Sequence, residues 1–263
     1  MRYVFNIKFR LKSFFDSVTF LRLMAPKNIP PKFVFFHAVA LASAALCTAF
    51  SPSVRAMELV VMGNTAILSG PVTGPEPGLL KQAFAANPNI NLVVLRNSHG
   101  GNATAGYRVG AFLREAGVTT AVSGYCISSC SRMFLGGKTR LFTDDYPPER
   151  TFVGFHGHYA ANGNLDRESM EKHGLYDWII RYSDGKADPE LVKRWMAIQK
   201  NIGAANFFHP DVAAKLGSSV FFCDGWQRKK PTECEALATD AMARGVATDT
   251  RRVSSPDQAS LPP

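Results

Sequence analysis

Apolar residues recur along the chain after residue 56 with two different spacings. Short apolar runs bounded by turn residues predict buried strands, of which "INLVVLRN" (residues 90–97) is the clearest. Apolar residues three and four positions apart predict amphipathic helices, such as "ATAGYRVGAFLREAG" (residues 103–117). Further strands are predicted at "VTTAVSG", "RLFT" and "TFVGFH", with a short helix at "SCSRMFLGG". This alternation of strands and helices predicts an α/β fold with a largely parallel sheet in one domain.

The second half of the chain is less regular. From residue 162 to about 200 the pattern is helical and more polar. The segment "DPELVKRWMAIQKNIGAANFF" (residues 188–208) is interpreted as a helical stretch that ends with "AANFF". A short helix is predicted at "FHPDVAAKLG" and a last strand at "SVFFC" (residues 219–223). Residues 248–263 have no apolar periodicity and are predicted to form a disordered tail. The folded domain is therefore predicted to span residues 57–247.

Residues 1–56 have the features of a targeting leader. An uncharged run at residues 33–50 follows two lysines, and the small residues Val54 and Ala56 have the spacing that a signal peptidase prefers. Cleavage after Ala56 makes Met57 the first residue of the mature chain. The apolar run is also at the lower length limit of a spanning helix, so an uncleaved membrane anchor is the alternative. Either way, the sequence predicts a location in the periplasm, free or attached to the membrane and facing it.

The net charge of +9 belongs to this leader rather than to the folded domain. The first 56 residues hold eight Lys or Arg residues and one acidic residue. The remainder has 22 basic and 20 acidic residues, a net charge of +2. A basic surface for nucleic acid is therefore not expected, and no nucleic-acid partner is predicted.

Four cysteines follow the leader, and an even number in an oxidising compartment favours disulfides over free thiols or zinc. Cys223 and Cys234 flank a polar, turn-forming segment and are predicted to pair. Cys126 and Cys130 are four positions apart, which permits the Cα separation of about 5.5 Å that a disulfide needs. They are also predicted to pair, with two buried thiols as the alternative. No cofactor or metal ion is expected, because neither pair has a zinc-site spacing with partner histidines.

Three predicted strand ends carry groups that are useful for catalysis. Gly100 and Gly101 join a buried strand to a helix and leave backbone N–H groups facing outward. Ser128 and Ser129 lie at the start of a helix, where the helix dipole stabilises developing negative charge. His156 ends another strand. A tight turn, a capping serine and a structural histidine are each common alone, but three strand ends that each carry a suitable group favour a shared site over three separate structural roles.

These motifs also resemble a known family. The order strand, "NSHGGNATAG", helix, then "VTTAVSGYCISSC" and "GFH" resembles the Clp-type serine peptidases of the ClpP/crotonase fold, and most of all their exported bacterial relatives with a C-x-S-x-C segment. The resemblance covers about residues 58–225. It implies a ClpP/crotonase-like fold of repeated β-β-α units, with Ser128 as nucleophile, His156 as general base, and Gly101 and Ser129 as backbone donors to an oxyanion. It further implies a peptide or protein substrate and a homo-oligomer.

The chain departs from the family pattern in two places. His99 stands where the family has a proline before the glycines, and no aspartate matches the third position of the triad. Asn201 or a backbone carbonyl is then the candidate to orient His156. A catalytically inactive protein that binds peptides or proteins in the same cleft is therefore an alternative. A crotonase-type acyl-thioester enzyme is less favoured, because coenzyme A thioesters are cytoplasmic.

Overall fold

The computed structural model describes residues 56–225 and 230–255. The apolar segment 33–50, predicted to be a signal or an anchor, and residues 256–263 lie outside this part. Within the described residues, no helix is both long enough and apolar enough to cross a membrane.

Strands and helices alternate along the described chain. The strands are β1 (Glu58–Met62), β2 (Thr65–Ser69), β3 (Leu92–Ser98), β4 (Thr119–Ile127), β5 (Thr139–Thr143), β6 (Phe152–Phe155), β7 (Ala204–Phe208), β8 (Val220–Cys223), β9 (Glu235–Ala236) and β10 (Arg252–Val253). The helices are α1 (Glu76–Ala86), α2 (Ala103–Ala116), α3 (Ser129–Leu135), α4 (Arg167–Lys172), α5 (Leu175–Tyr182), α6 (Pro189–Met196) and α7 (Ala213–Leu216). The first three strands and the first two helices form one β-β-α unit followed by a β-α unit.

One sheet runs through the described residues in the order β1-β2-β3-β4-β6-β7-β8-β9. Strands β2, β3, β4 and β6 are parallel, whereas β1 and β7 to β9 pair antiparallel to their neighbours. Strand β5 also pairs parallel with β4, and β10 pairs parallel with β5. The prediction of an α/β domain with a largely parallel sheet is therefore confirmed.

The nine-residue strand β4 has two different neighbours on the same side. Its first half, Thr119–Val122, pairs with β5, and its second half, Tyr125–Ile127, pairs with β6. The sheet therefore divides along β4. Because β4 and β6 are parallel and end at the same edge, the residues that follow them lie side by side.

The central strands are buried on both faces. Val93 and Leu95 of β3 belong to the main core beneath the helices, and Val94 packs in a smaller cluster with Ile67 and Ala121 on the opposite face. Burial on both faces explains why β3 is a continuous apolar run in the sequence rather than an alternating one.

Two glycines in α2 allow it to approach α3 closely. A Cβ atom on Gly106 would lie 2.5 Å from the carbonyl oxygen of Ser129, and one on Gly110 would lie 2.5 Å from that of Arg132. Because these separations are shorter than real carbon–oxygen contacts, any side chain at either position forces the two helices apart. The spacing of these glycines therefore fixes α3, and with it the residue where α3 begins, against α2.

Two predicted elements differ from the structure. The segment "AANFF", interpreted as helix, is strand β7, and all five of its residues are buried. A short apolar run buried on both faces has no period that separates it from a helix, so its pairing with β6 and β8 decides the outcome. Part of the segment predicted to be a disordered tail also pairs with the sheet. Within it, Arg252–Val253 pair with β5 through backbone hydrogen bonds, which need no apolar pattern.

Both predicted cysteine pairs are joined as disulfides in the structure. Cys223, at the end of β8, is bonded to Cys234, just before β9. Cys126, near the end of β4, is bonded to Cys130 in the first turn of α3. The second bridge therefore encloses the turn between β4 and α3.

Candidate active site

The turn between β4 and α3 holds Ser128 in an unusual backbone conformation. Its φ of 61° and ψ of −128° lie in a region that residues other than glycine rarely adopt. The amide of Ser128 donates to the carbonyl of Gly154 in β6 at 3.0 Å. Ser128 is partly accessible, whereas its neighbours Ile127 and Ser129 are buried. A strained strand-to-helix turn that exposes one serine is the geometry that presents nucleophiles in α/β hydrolases.

The glycine turn after β3 lies directly against this serine. A Cβ atom on Gly100 would be 2.7 Å from Cβ of Ser128 and 2.8 Å from the backbone nitrogen of Ser129. No residue with a side chain fits there without moving the turn that carries Ser128. Gly100 is therefore required by close approach, a role that the sequence pattern did not separate from that of Gly101.

Gly101 is held by a parallel bridge to Val72. The amide of Val72 donates to the carbonyl of Gly100 at 2.9 Å, and the amide of Asn102 donates to the carbonyl of Val72 at 2.8 Å. In parallel pairing of this kind, the N–H of Gly101 itself points away from Val72. Its φ of 141°, together with the 2.2 Å separation that a Cβ atom would have from the Val72 oxygen, makes glycine necessary here.

Ser129 supplies a second backbone N–H group beside Ser128. It is the first residue of α3, so its amide is one of the four at a helix N-terminus that have no acceptor within the helix. The partial positive charge of the helix end adds to its ability to hold an anion. The amides of Gly101 and Ser129 are thus the candidate oxyanion donors.

His156 follows β6 at the edge of the sheet where Ser128 follows β4. Ile127, the residue before Ser128, is paired with Gly154, and His156 comes two residues after Gly154. The histidine is 5% exposed, and its Nδ1 lies 2.7 Å from the carbonyl oxygen of Gly157. Because a carbonyl only accepts, Nδ1 carries the proton, which leaves Nε2 as the basic nitrogen.

The orienting partner of His156 is thus a backbone carbonyl. Asn201, the other candidate from the sequence, is an exposed residue in the turn after α6, and its side-chain amide approaches Gly163. The carbonyl of Gly157 fixes the tautomer and the ring orientation of His156. Being neutral, it offers less stabilisation of a protonated imidazole than a carboxylate does.

Arg132 connects the two candidate catalytic residues through their backbones. This side chain is 1% exposed; one terminal nitrogen donates to the carbonyl of Ser128 at 2.6 Å and the other to the carbonyl of His156 at 2.7 Å. Burial is the main cause that lowers the pKa of Arg132 below its usual range. An arginine within the apolar segment "SCSRMFLGG" was the one indication of this role in the sequence, and no role was predicted for it.

The contacts of His158 indicate a structural role. Its Nε2 lies 3.1 Å from the Tyr107 hydroxyl and its Nδ1 lies 2.9 Å from the Ser169 hydroxyl, so both ring nitrogens are occupied. Burial, followed by the charge of Arg132, lowers the pKa of His158 to about 3. This histidine is therefore neutral over the working pH range and has a different role from His156.

The free energy of unfolding should fall at acidic pH because of His158. The pKa of His158 is depressed in the folded state, so as the pH falls below about 6.5 the unfolded chain binds a proton that the folded chain does not. We expect this one proton to cost about 1.4 kcal/mol of unfolding free energy per pH unit between about pH 6 and pH 4. Urea unfolding of the wild type and of His158→Asn across this range measures it. Parallel pH profiles for the two proteins contradict the prediction.

The two disulfides should differ in what their removal does. By loop-closure entropy, replacing both cysteines with alanine should cost about 3 kcal/mol for Cys223–Cys234 and about 2 kcal/mol for the shorter Cys126–Cys130 loop. Only the second bridge encloses the turn of Ser128, so only its loss should reduce serine reactivity in protein that remains folded. Unfolding curves and labelling of the serine by an activated ester check both effects. Equal loss of reactivity in the two double variants contradicts this assignment.

Of the comparisons with known proteins, only the one with solved structures gives matches. The sequence matches no protein-family model and no curated protein. Among solved structures, the chain is similar to a mutant of ClpP1 from Listeria monocytogenes, with 14% identity and a TM-score of 0.40 over 50% of this chain and 78% of that one. It is also similar to a mutant of a membrane-bound stomatin-specific protease, with 12% identity and a TM-score of 0.40 over 52% of this chain and 72% of that one.

Proposed function

We propose that this chain is an exported, ClpP-like serine hydrolase that acts on peptides, with Ser128 as nucleophile and His156 as general base. The observation that carries the proposal is the backbone of Ser128, with φ 61° and ψ −128° at a strand-to-helix turn that Gly100 contacts. A backbone conformation of this kind costs about 1–3 kcal/mol, and such conformations cluster at functional sites.

The geometry supports acyl transfer in two steps. Nε2 of His156 accepts the hydroxyl proton as Oγ of Ser128 attacks the substrate carbonyl, and the N–H groups of Gly101 and Ser129 hold the resulting oxyanion. The carbon–nitrogen bond then breaks, and His156 returns the proton to the leaving amine. In the second step a water molecule, deprotonated by His156, hydrolyses the acyl-enzyme and releases Ser128. This scheme needs no cofactor or metal ion.

The two disulfides are compatible with an oxidising compartment such as the periplasm. Together with the leader at residues 1–56, they support export of the domain, either released by cleavage after Ala56 or held at the membrane by segment 33–50. We also propose self-association into a homo-oligomer, as the family resemblance implies.

One observation favours a second candidate function, a catalytically inactive module that binds a peptide or a protein in the same cleft. Nδ1 of His156 lies 2.7 Å from the carbonyl oxygen of Gly157, which is a neutral group. In chymotrypsin-type enzymes, replacing the orienting aspartate by asparagine lowers kcat by about 10⁴-fold. The proposed hydrolase is therefore slow, and its activity has to be sought with activated substrates first.

Two substrates and one binding measurement separate the candidate functions. Activated esters of short acylated peptides should be hydrolysed with an initial burst equal to the enzyme concentration, because an activated ester acylates Ser128 faster than the acyl-enzyme is hydrolysed. An acetyl thioester of coenzyme A should not be turned over. Tight peptide binding without any burst supports the inactive module instead, and turnover of the thioester alone supports a crotonase-type reaction.

A further inference from the structure

Glu76, in the first turn of α1, is a fully buried carboxylate with 0% exposure. Its Oε1 accepts from the amide of Thr73 at 2.7 Å and its Oε2 from the amide of Gly74 at 2.7 Å. In the described part of the chain, no Lys, Arg or His side chain lies within 4 Å of this carboxylate. A buried charge of this kind is costly unless a cation accompanies it.

Helix capping explains only part of this arrangement. The sequence from Thr73 to Glu76 fits a capping box, in which an acidic or amide side chain bonds back to the amide three residues earlier. Glutamine serves a capping box as well as glutamate does, so capping does not require a charge. It also leaves unexplained why a third backbone nitrogen, that of Met57, approaches Oε1 at 3.5 Å.

Met57 is the residue that signal-peptide cleavage after Ala56 places at the N-terminus. It is 2% exposed and packs in the main hydrophobic core, so its backbone nitrogen is held in place beside Glu76. Hydrolysis of the Ala56–Met57 bond consumes one water molecule, leaves a carboxylate on Ala56 and frees the Met57 amine, which takes up a proton. The nitrogen then becomes an ammonium group within ion-pair distance of the carboxylate.

We propose that processing after Ala56 builds a buried ion pair between the α-ammonium group of Met57 and the carboxylate of Glu76. The proposal depends on cleavage of the leader but not on hydrolase activity. Before cleavage, Glu76 faces a neutral amide. After cleavage, it faces a cation with further N–H donors, which supplies the partner that its burial calls for.

The ion pair acts on the turn that borders the candidate active site. Glu76 holds the amides of Thr73 and Gly74, and the preceding residue, Val72, forms the bridge to Gly101. Fixing the carboxylate therefore fixes the strand segment that aligns the Gly101 amide. Removal of the leader is thus coupled to one of the proposed oxyanion donors through three contacts: Met57 with Glu76, Glu76 with the turn at Thr73, and Val72 with Gly101.

The test uses the full-length gene, with the processed protein purified from the periplasm. N-terminal sequencing should give Met57 as the first residue. At pH 8, acetic anhydride should label the α-amine at least about fivefold more slowly in the folded wild type than in Glu76→Gln, since a rise of one unit from a pKa of about 8 lowers the neutral fraction from about a half to about a tenth. Glu190→Gln, which removes an exposed carboxylate paired with Lys193, is the matched control and should label like the wild type.

The remaining outcomes overturn the proposal. Equal protection in the wild type and in Glu76→Gln shows that burial alone shields the amine. A different first residue, or a leader that is never removed, eliminates the ammonium group. If Glu76→Gln does not fold, the pH profile of labelling in the wild type decides. An ion pair moves the midpoint of that profile to a higher pH in the folded protein than in urea, and a midpoint that is unchanged or lower contradicts the ion pair. None of these measurements requires peptide hydrolysis, so they remain informative if the proposed hydrolase activity is absent.

Discussion

Replacing Ser128 with alanine is expected to lower the rate of peptide-ester hydrolysis by at least about 100-fold. Loss of the nucleophile costs about 10⁶-fold in a complete serine protease triad. Where a neutral carbonyl orients the histidine in place of a carboxylate, about 10⁴-fold of that is already missing, and about 100-fold remains to be lost. Measurement of kcat/KM with the activated ester gives the ratio directly.

The stability of Ser128 variants separates catalysis from folding. Alanine is strained at φ 61° as serine is, so Ser128→Ala should unfold at nearly the same urea concentration as the wild type. Glycine has no such strain, so Ser128→Gly should be more stable by about 1 kcal/mol while equally inactive. A stabilised but inactive glycine variant is the expected sign of a strained catalytic residue.

Ser129→Ala is the matched control for Ser128→Ala. The hydroxyl of Ser129 is buried and makes no hydrogen bond among the described residues, and the proposed role of this residue uses only its backbone N–H. Activity should therefore fall by less than about fivefold. If Ser129→Ala is inactive and Ser128→Ala is active, the nucleophile is one residue away from the position proposed.

The second large effect is expected at Arg132. Arg132→Met removes the two hydrogen bonds that tie the carbonyls of Ser128 and His156 to one guanidinium group. The carbonyl of Ser128 retains the Ser131 amide, but a buried acceptor at His156 loses a charged donor, so we expect a loss of about 2–4 kcal/mol in unfolding free energy. Because the relative position of nucleophile and base changes, kcat should fall more than KM rises.

Two further variants distinguish positioning from general destabilisation. Arg132→Lys keeps the charge but has a single nitrogen, so it should restore part of the stability and little of kcat. Arg194→Met removes an exposed arginine that pairs with Glu235, and should cost about 0.5 kcal/mol with no change in kcat. If Arg132→Met retains the wild-type kcat in its folded fraction, Arg132 serves only the stability of the core.

What could be predicted from the sequence depended on local patterns. Strand β3 and helix α2 were predicted because a continuous apolar run and a 3.6-residue period each identify one type of element. Ser128 and His156 were brought together because both follow strands that were expected to be parallel, and parallel strands end at the same sheet edge. For Cys126 and Cys130, chain separation alone kept the two atoms close enough to bond.

The features that the sequence did not reveal depend on contacts made only in the folded chain. The apolar segment of β7 became a strand because β6 and β8 pair with it. A backbone carbonyl was one candidate to orient His156, but every residue carries one, so the sequence did not identify Gly157. Arg132 acts through backbone acceptors as well, so its partners are also absent from any side-chain pattern.

Labelling with a fluorophosphonate probe tests the central claim most directly. The probe reacts with a serine hydroxyl only when a neighbouring base and oxyanion donors activate it. For the processed wild-type protein, we predict one covalent adduct per chain, located on Ser128 by peptide mass spectrometry and absent from Ser128→Ala and His156→Ala. An unlabelled wild-type protein, with both disulfides intact and the domain folded, would contradict the hydrolase and favour the binding module.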